Sequence, residues 1–330
     1  MKRALITGIG GQDGSYLAEL LLEQGYHVVG LVRPGAESYD NLAQIAHEIE
    51  LQEADLLHQT SLTQALRVAD PGEVYNLAAP SFVPASWDRP VQTAEFAAVG
   101  ATSLLEAIRT VNPKIRFYQA SSSEIFGEPH ESPQTEQTPL APLTPYGVAK
   151  AYAHFSARSY RQRYGLFACS GILYNHESPR RPLEFVPSKV ANAAASIKLG
   201  LTGELWLGDL AAQRDWGYAG DYVRAMWLML QQDEPEDYVI ATGELHTVQE
   251  LVQCAFDRVA LDWRDYVQID ESLKRGKAEL HDLVGDPSKA RERLGWRPTL
   301  DFEGLVRLLV DADLDRLRAE RRTAEVTGAE

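Results

Sequence analysis

Residues 7–14 read TGIGGQDG and stand between RALIT (3–7) and SYLAELLLEQG (15–25). Gly8, Gly11 and Gly14 recur at three-residue intervals where an apolar run gives way to leucines at helical spacing. Glycine permits a tight turn there and lets backbone N–H groups approach a pyrophosphate at a helix N-terminus. The pattern alone is weak, and a glycine-rich turn without a ligand is its ordinary alternative. The flanking strand and helix make it specific. A strand, glycine loop and helix in that order predict a Rossmann-like doubly wound parallel sheet.

Working outward, HVVGLV (27–32), EVYNLA (73–78), IRFYQA (115–120) and FACSGIL (167–173) read as further buried parallel strands, and GATSLLEAIRTV (100–111) as a helix. After about residue 175 the pattern changes. NHESPRRPLEF (175–185) is polar, basic and proline-containing, and SKVANAAASIKLG (188–200) is helical in spacing. VIATG (239–243) is expected to return to the sheet. The tail from HDLVGDPSKARERLGW (281–296) is expected to be helical, with its last dozen residues frayed. The expectation is an α/β protein with a Rossmann domain over 1–174, a return near 215–243, and a smaller, discontinuous C-terminal α/β substrate domain over 175–330.

With 330 residues, 45% hydrophobic and 24% charged, the chain has an ordinary globular composition. Its net charge of −15 argues against nonspecific binding to nucleic acid or anionic membrane, and leaves room for a local basic pocket. Cys169 and Cys254 each lie in an apolar segment and read as buried thiols, too few for a disulfide framework. The first strand begins at once, and no apolar run approaches the roughly 20 residues that span a bilayer, so a cytoplasmic protein without a signal peptide is expected.

Three further features point to chemistry. The second strand ends at LVRPG (31–35), which offers Arg33 where an NAD-selective loop offers an acid. A guanidinium there suits the 2′-phosphate of NADP, or is a solvated loop arginine. Asp55, beside Leu56, either addresses the adenine or caps a helix. PYGVAKAY (145–152) sets Tyr146 and Lys150 four apart on one helix face. A phenol is a poor base at neutral pH, and a nearby ammonium or oxidised nicotinamide favours its ionised form. Finally, SSSEIFG (121–127) follows a strand with a glutamate that is either a turn residue or a proton carrier.

TGIGGQDG, NLAA (76–79), SSSE (121–124) and YGVAK (146–150) together resemble the extended short-chain dehydrogenase/reductases. More narrowly, residues 7–26, NHESPRR (175–181), residues 213–244 and GDPSKARERLGW (285–296) are similar to the GDP-mannose 4,6-dehydratase group, over nearly the whole chain. That resemblance implies bound NADP held by Gly8, Gly11, Gln12, Asp13 and Gly14, by Arg33, Asp55 and Leu56, by Leu77, Ala78 and Ala79, and by Tyr146, Lys150, His176 and Arg181. It implies catalysis by Ser122, Ser123, Glu124, Tyr146 and Lys150 on a GDP-linked hexose. Tyr146 would take the C4 hydroxyl proton. Glu124 would remove the C5 proton and protonate the departing C6 hydroxyl, a double duty because Ser123 stands where glucose-type dehydratases carry an Asp. Ser122 would hydrogen-bond the C4 oxygen, and Lys150 would hold the nicotinamide ribose.

The same resemblance implies substrate contacts from Ser81, Ser122, Glu124, Tyr146, Asn175, Lys189, Arg214, Arg275 and Glu279, with Arg180 and Asn192 nearby. For each arginine the alternative is a surface or interdomain salt bridge. It also implies a homodimer or homotetramer, with helices near 94–110 and 146–163 facing a second copy. The chain departs from the group pattern at RPGAESYDN (33–41), Pro80, PLEF (182–185) and RGKAEL (275–280). A 4-epimerase or reductase on the same fold would need Tyr146 and Lys150 but no base for C5, and a dinucleotide sensor would need only the glycine loop.

Overall fold

The structure is a computed structural model that describes residues 2–35, 39–273 and 282–327. Six parallel strands alternate with helices in the first half: β1 (Arg3–Thr7), β2 (His27–Val32), β3 (Glu50–Glu53), β4 (Glu73–Asn76), β5 (Arg116–Ala120) and β6 (Ala168–Leu173). Short strands follow, β7 (Asn175–Glu177), β8 (Leu205–Leu207), β9 (Gln213–Arg214) and β10 (Trp216–Tyr218), before β11 (Tyr238–Ile240) joins the main sheet beside β6. The order is β3-β2-β1-β4-β5-β6-β11, reversing after β1 as a doubly wound sheet requires. β12 (His246–Thr247) pairs antiparallel with β9, β13 (Val267–Ile269) pairs parallel with β8, and β10 pairs parallel with β7.

Alternation along β1 shows why both faces need helices. Ala4 and Ile6 join one core with Leu17 and Leu21 of α1 (Gln12–Glu23), while Leu5 joins the opposite core with Leu62 and Leu66 of α2 (Gln59–Ala69). Each such fully buried aliphatic side chain contributes about 1.5–3 kcal/mol. Next come α3 (Ala85–Asp88), α4 (Pro90–Ala94), a π-helical turn (Glu95–Val99), α5 (Gly100–Val111) and α6 (Pro145–Tyr164). α5 closes the α2 face through Leu104, Leu105 and Ile108. A second core is built by α7 (Val186–Lys198), α9 (Val248–Arg258) and α11 (Phe302–Thr327), with α8 (Ala219–Leu230) and α10 (Ser288–Leu294) returning to the α1 face.

Four sequence expectations change. β3 was not anticipated, because every other residue of this edge strand is exposed and no apolar run marks it. The expected frayed end is instead helical to Thr327. Cys169 is buried, but Cys254 is only partly so. The element start points also shift: α1 begins at Gln12, inside the glycine loop itself. Among the described residues no helix is long and apolar enough to cross a membrane.

Asp215 stitches the sheet to the second core. It is fully buried between β9 and β10 and accepts hydrogen bonds from Thr242 N (2.9 Å), Thr242 Oγ1 (2.6 Å), Gly243 N (2.9 Å) and Gly285 N (3.4 Å). Asp215→Ala would take the shared acceptor from these four donors, and urea unfolding should report a loss of roughly 3 kcal/mol. An unchanged midpoint would contradict that role.

Candidate active site

A cleft of about 1140 Å³ opens at the carboxyl ends of the central strands, where open α/β sheets bind ligands. Gly8 has φ of +70°, and a Cβ there would lie 2.9 Å from the backbone N and Cα of Ala78. A Cβ on Gly14 would lie 2.3 Å from Gly8 O, so α1 can reach the loop only as glycine. Gly11 is the N-cap of α1 and no side chain caps the helix, which leaves first-turn N–H groups for an anion. Arg33 lines the cleft at the end of β2, with its guanidinium 5.8 Å from the ring centre of Phe96. Leu56, Leu77, Ala78 and Ala79 also line it.

Asp55 does not join them. Its carboxylate accepts from Leu57 N (2.9 Å) in a turn ahead of α2, whose N-cap is His58, so Asp55 is not the helix cap either. Gln12, Asp13 and His176 line the cleft but also clasp one another. Gln12 Nε2 donates to His176 O (3.1 Å), Ser178 Oγ donates to Gln12 Oε1 (2.8 Å), and His176 Nε2 lies 2.9 Å from Asp13 Oδ2.

The turn after β5 and the start of α6 face each other. Ser122 Oγ accepts from Glu124 N (3.2 Å) and caps a single 3₁₀ turn, Ser123–Ile125. Thr144 Oγ1 accepts from Gly147 N (2.9 Å) and Pro145 occupies the first turn, so α6 starts at a fixed point. Gly147 brings the two together: a Cβ on it would lie 2.5 Å from Glu124 O. Ser122, Ser123, Glu124, Tyr146 and Lys150 consequently line one cleft.

The electrostatics correct the expected role of the ammonium. Lys150 Nζ donates to Ala120 O (2.9 Å) and lies 5.7 Å from the Tyr146 ring centre. Burial pushes the Tyr146 phenol up to about 12; the Ser122 hydrogen bond and Arg181 oppose the rise, while Glu124 and Asp13 add to it. Burial likewise pulls Lys150 down to about 8, against the influence of Asp13. The protein alone therefore holds Tyr146 as a neutral phenol.

On the other wall, Ser81, Asn175, Arg181, Lys189 and Arg214 line the cleft. Lys189 Nζ donates to Trp206 O (2.6 Å) and Arg214 Nη1 to Gln213 O (2.6 Å). Arg181 lies 3.3 Å from Glu177 and stacks 3.6 Å over Phe185. Arg180 turns away to α1 instead, donating to Ser15 Oγ (3.0 Å) and Glu19 Oε1 (2.6 Å). Asn192 donates to Asp313 Oδ1 at 3.4 Å, outside the cleft wall. Arg275 and Glu279 lie outside the described residues.

Sequence reading missed the buried polar chain beneath the cleft. Leu77 N and Ala78 N donate to Thr7 Oγ1 (both 3.1 Å), which donates to Asn76 Oδ1 (2.8 Å); Asn76 Nδ2 then donates to Gln119 Oε1 (2.9 Å) and Gln119 Nε2 to Ala120 O (3.0 Å). Polar residues closing three apolar strand runs were the available signal. Gly147 was missed too, although a glycine between Tyr146 and Lys150 was legible as a close approach.

Residues 5–309 match the family model described as GDP-mannose 4,6 dehydratase. The chain belongs to the GDP-mannose 4,6-dehydratase family. GDP-mannose 4,6 dehydratase 1 of Arabidopsis thaliana is 48% identical, covering 98% of this chain and 93% of that protein. The Homo sapiens GDP-mannose 4,6 dehydratase is 44% identical, covering 96% and 92%. Among solved structures, the fold is similar to the dTDP-glucose 4,6-dehydratase of Streptomyces venezuelae, crystallised with NAD (27% identical, TM-score 0.81, covering 97% of this chain and 98% of that one). It is also similar to the UDP-glucose 4-epimerase of Thermus thermophilus, in complex with NAD (29% identical, TM-score 0.83, covering 94% and 98%). This chain thus shares its overall fold with a 4,6-dehydratase and a 4-epimerase of other nucleotide sugars.

Gly147→Ala tests the contact that sets Tyr146 against Glu124. Circular dichroism should show the fold retained, while turnover drops by about 10²-fold because reacting groups tolerate little misplacement. Unchanged turnover would show that this close approach does not position Tyr146.

Proposed function

We propose that this protein is a nucleotide-sugar 4,6-dehydratase that converts GDP-mannose to GDP-4-keto-6-deoxymannose with loss of water. The observation that carries this reading is the presence of Ser122, Glu124, Tyr146 and Lys150 in one cleft of a member of the family. A nicotinamide dinucleotide fits the remaining features: the uncapped glycine turn suits its pyrophosphate, and the crowding at Gly8 and Gly14 is what a close backbone cradle requires. Arg33 at the end of β2 favours NADP over the NAD carried by the two structural neighbours. When bound, the oxidised nicotinamide accepts the C4 hydride of the hexose and returns it to C6.

The chain's own residues handle the protons. Tyr146 removes the C4 hydroxyl proton, with Ser122 donating to the C4 oxygen. A positive charge placed beside Tyr146 opposes the burial and the Glu124 carboxylate that hold its phenol neutral. The 4-ketone acidifies the C5 proton. Glu124 takes it, then gives a proton to the C6 hydroxyl, which leaves as water and opens C6 to the returning hydride. Hydride addition at C6 leaves C5 to take up a proton, which balances the one Tyr146 removed from the C4 hydroxyl, so that Tyr146 and Glu124 end in their starting states. Arg181 and Arg214 offer guanidinium groups to the diphosphate.

We also propose a homodimer through α5 and α6. Val99, Val148, Tyr152 and Phe155 are each half exposed on that face (52%, 55%, 51% and 50%), an apolar surface suited to a second copy. Sedimentation of a Tyr152→Glu, Phe155→Glu variant should shift it to monomer.

Glu124→Gln separates dehydration from the epimerase reading. Incubated with GDP-, dTDP-, UDP- and CDP-hexoses, the parent protein should lose one water from GDP-mannose alone, by mass. The variant should oxidise C4 yet lose no water. Full water loss by the variant would overturn the role of Glu124, and reaction with another nucleotide hexose alone would overturn the substrate. Denaturing the purified protein and weighing the released dinucleotide distinguishes NADP from NAD.

A further inference from the structure

The clasp between the glycine loop and β7 contains a charge pair that the dehydratase chemistry does not use. His176 Nδ1 lies 2.7 Å from Tyr174 O, and Nε2 lies 2.9 Å from Asp13 Oδ2. A backbone carbonyl only accepts, and so does an ionised carboxylate. Two acceptors facing one ring require two N–H groups, which makes the ring an imidazolium. The alternative, a protonated Asp13 donating to a neutral ring, is disfavoured by the rest of the Asp13 shell, since Gln12 Nε2 donates to its Oδ1 (3.0 Å) and the Arg181 guanidinium adds positive charge nearby.

The surroundings are built for a cation. His176 stacks on the Tyr222 ring of α8, with centroids 4.5 Å apart and planes at 20°. Gly217, paired opposite His176, leaves room for that stack: a Cβ there would lie 2.4 Å from the Tyr222 ring. The charged and titratable groups facing the ring are Asp13 from α1, Arg181 and Glu177 from its own segment, and Tyr222 from α8. Burial lowers the basicity of His176, but Asp13 more than restores it, and Arg181 works against it. Asp13 itself is driven below the ordinary carboxylate range: burial raises it, and His176 outweighs that.

We infer that His176 is a positioning residue, held as an imidazolium, whose charge cancels that of Asp13 inside the glycine loop and so lets an anionic dinucleotide seat there. The ligand's identity rests on the function proposed above. Asp13 is the second residue of α1, in the turn whose free N–H groups would receive a phosphate. A carboxylate suits the positive end of a helix, yet it repels a second anion at the same place. With His176 charged, the pair is neutral and the helix end keeps its attraction. With His176 neutral, an uncompensated charge stands in the loop, and it also pushes Tyr146 and Lys150 toward holding their protons.

The test combines a charge cycle with a direct look at the ring. In equilibrium dialysis with NADP⁺, His176→Gln should bind at least about tenfold more weakly than the parent, because it takes from the Asp13 carboxylate the counter-charge it contacts directly. The double variant Asp13→Asn, His176→Gln restores neutrality and should recover to within about threefold of the parent. A merely structural clasp predicts the opposite, with the double variant no better than the single one, and that result would overturn the proposal. Independently of any ligand, ¹⁵N NMR of the parent at pH 7, where a free imidazole is mostly neutral, should show both ring nitrogens of His176 protonated, assigned through the parent's own backbone resonances. One unprotonated nitrogen would overturn the proposal even if neither variant folds. Absence of binding by the parent to both NADP⁺ and NAD⁺ would instead sink the dinucleotide reading, and the NMR result would still decide the state of the ring.

Discussion

The cleft depends on one buried hydrogen-bond chain that fixes the ends of three parallel strands. Thr7 closes β1, Asn76 closes β4 and Gln119 lies one residue from the end of β5, and their side chains are linked in series. At one end the chain holds the backbone of residues 77 and 78, against which Gly8 packs. At the other it meets Ala120 O, which also accepts from Lys150. The glycine loop and the Tyr146–Lys150 helix are thereby held to a common frame, although more than a hundred residues separate them in sequence. Buried polar chains of this kind specify one arrangement because any break strands a group without a partner.

On that frame sits a site whose ground state is the wrong one for chemistry. Tyr146 is a neutral phenol, and the same burial pulls Lys150 down to about 8. A catalytic phenolate in this protein must come from what binds the cleft. In the proposed mechanism Glu124 faces a different demand, since it would both take and give a proton within one turnover. Such coupling between occupancy and proton affinity restrains the site from acting without its ligands.

The sheet was legible because buried parallel strands are continuous apolar runs and the glycine loop fixes where the first one ends. β3 was not, because this edge strand alternates partly buried and exposed residues and resembles a polar loop. The site was legible where chemistry demands rare residue patterns, as at Ser122–Glu124 and Tyr146–Lys150. It was misread where a residue type serves two purposes. Asp55 suited either a ligand or a helix cap, and instead closes a turn ahead of α2. Arg180 and Arg181 are adjacent, but chain direction after β7 sends one to α1 and the other to the cleft.

The central claim is that hydride leaves C4 and returns to C6 of the same sugar while Tyr146 and Glu124 move the protons. GDP-mannose carrying deuterium at C4 tests it directly, with the product read by mass and by NMR. The account predicts that the deuterium is retained and found on the C6 methyl group, with one solvent hydrogen taken up at C5. Deuterium lost to solvent, or released on free dinucleotide, would contradict it.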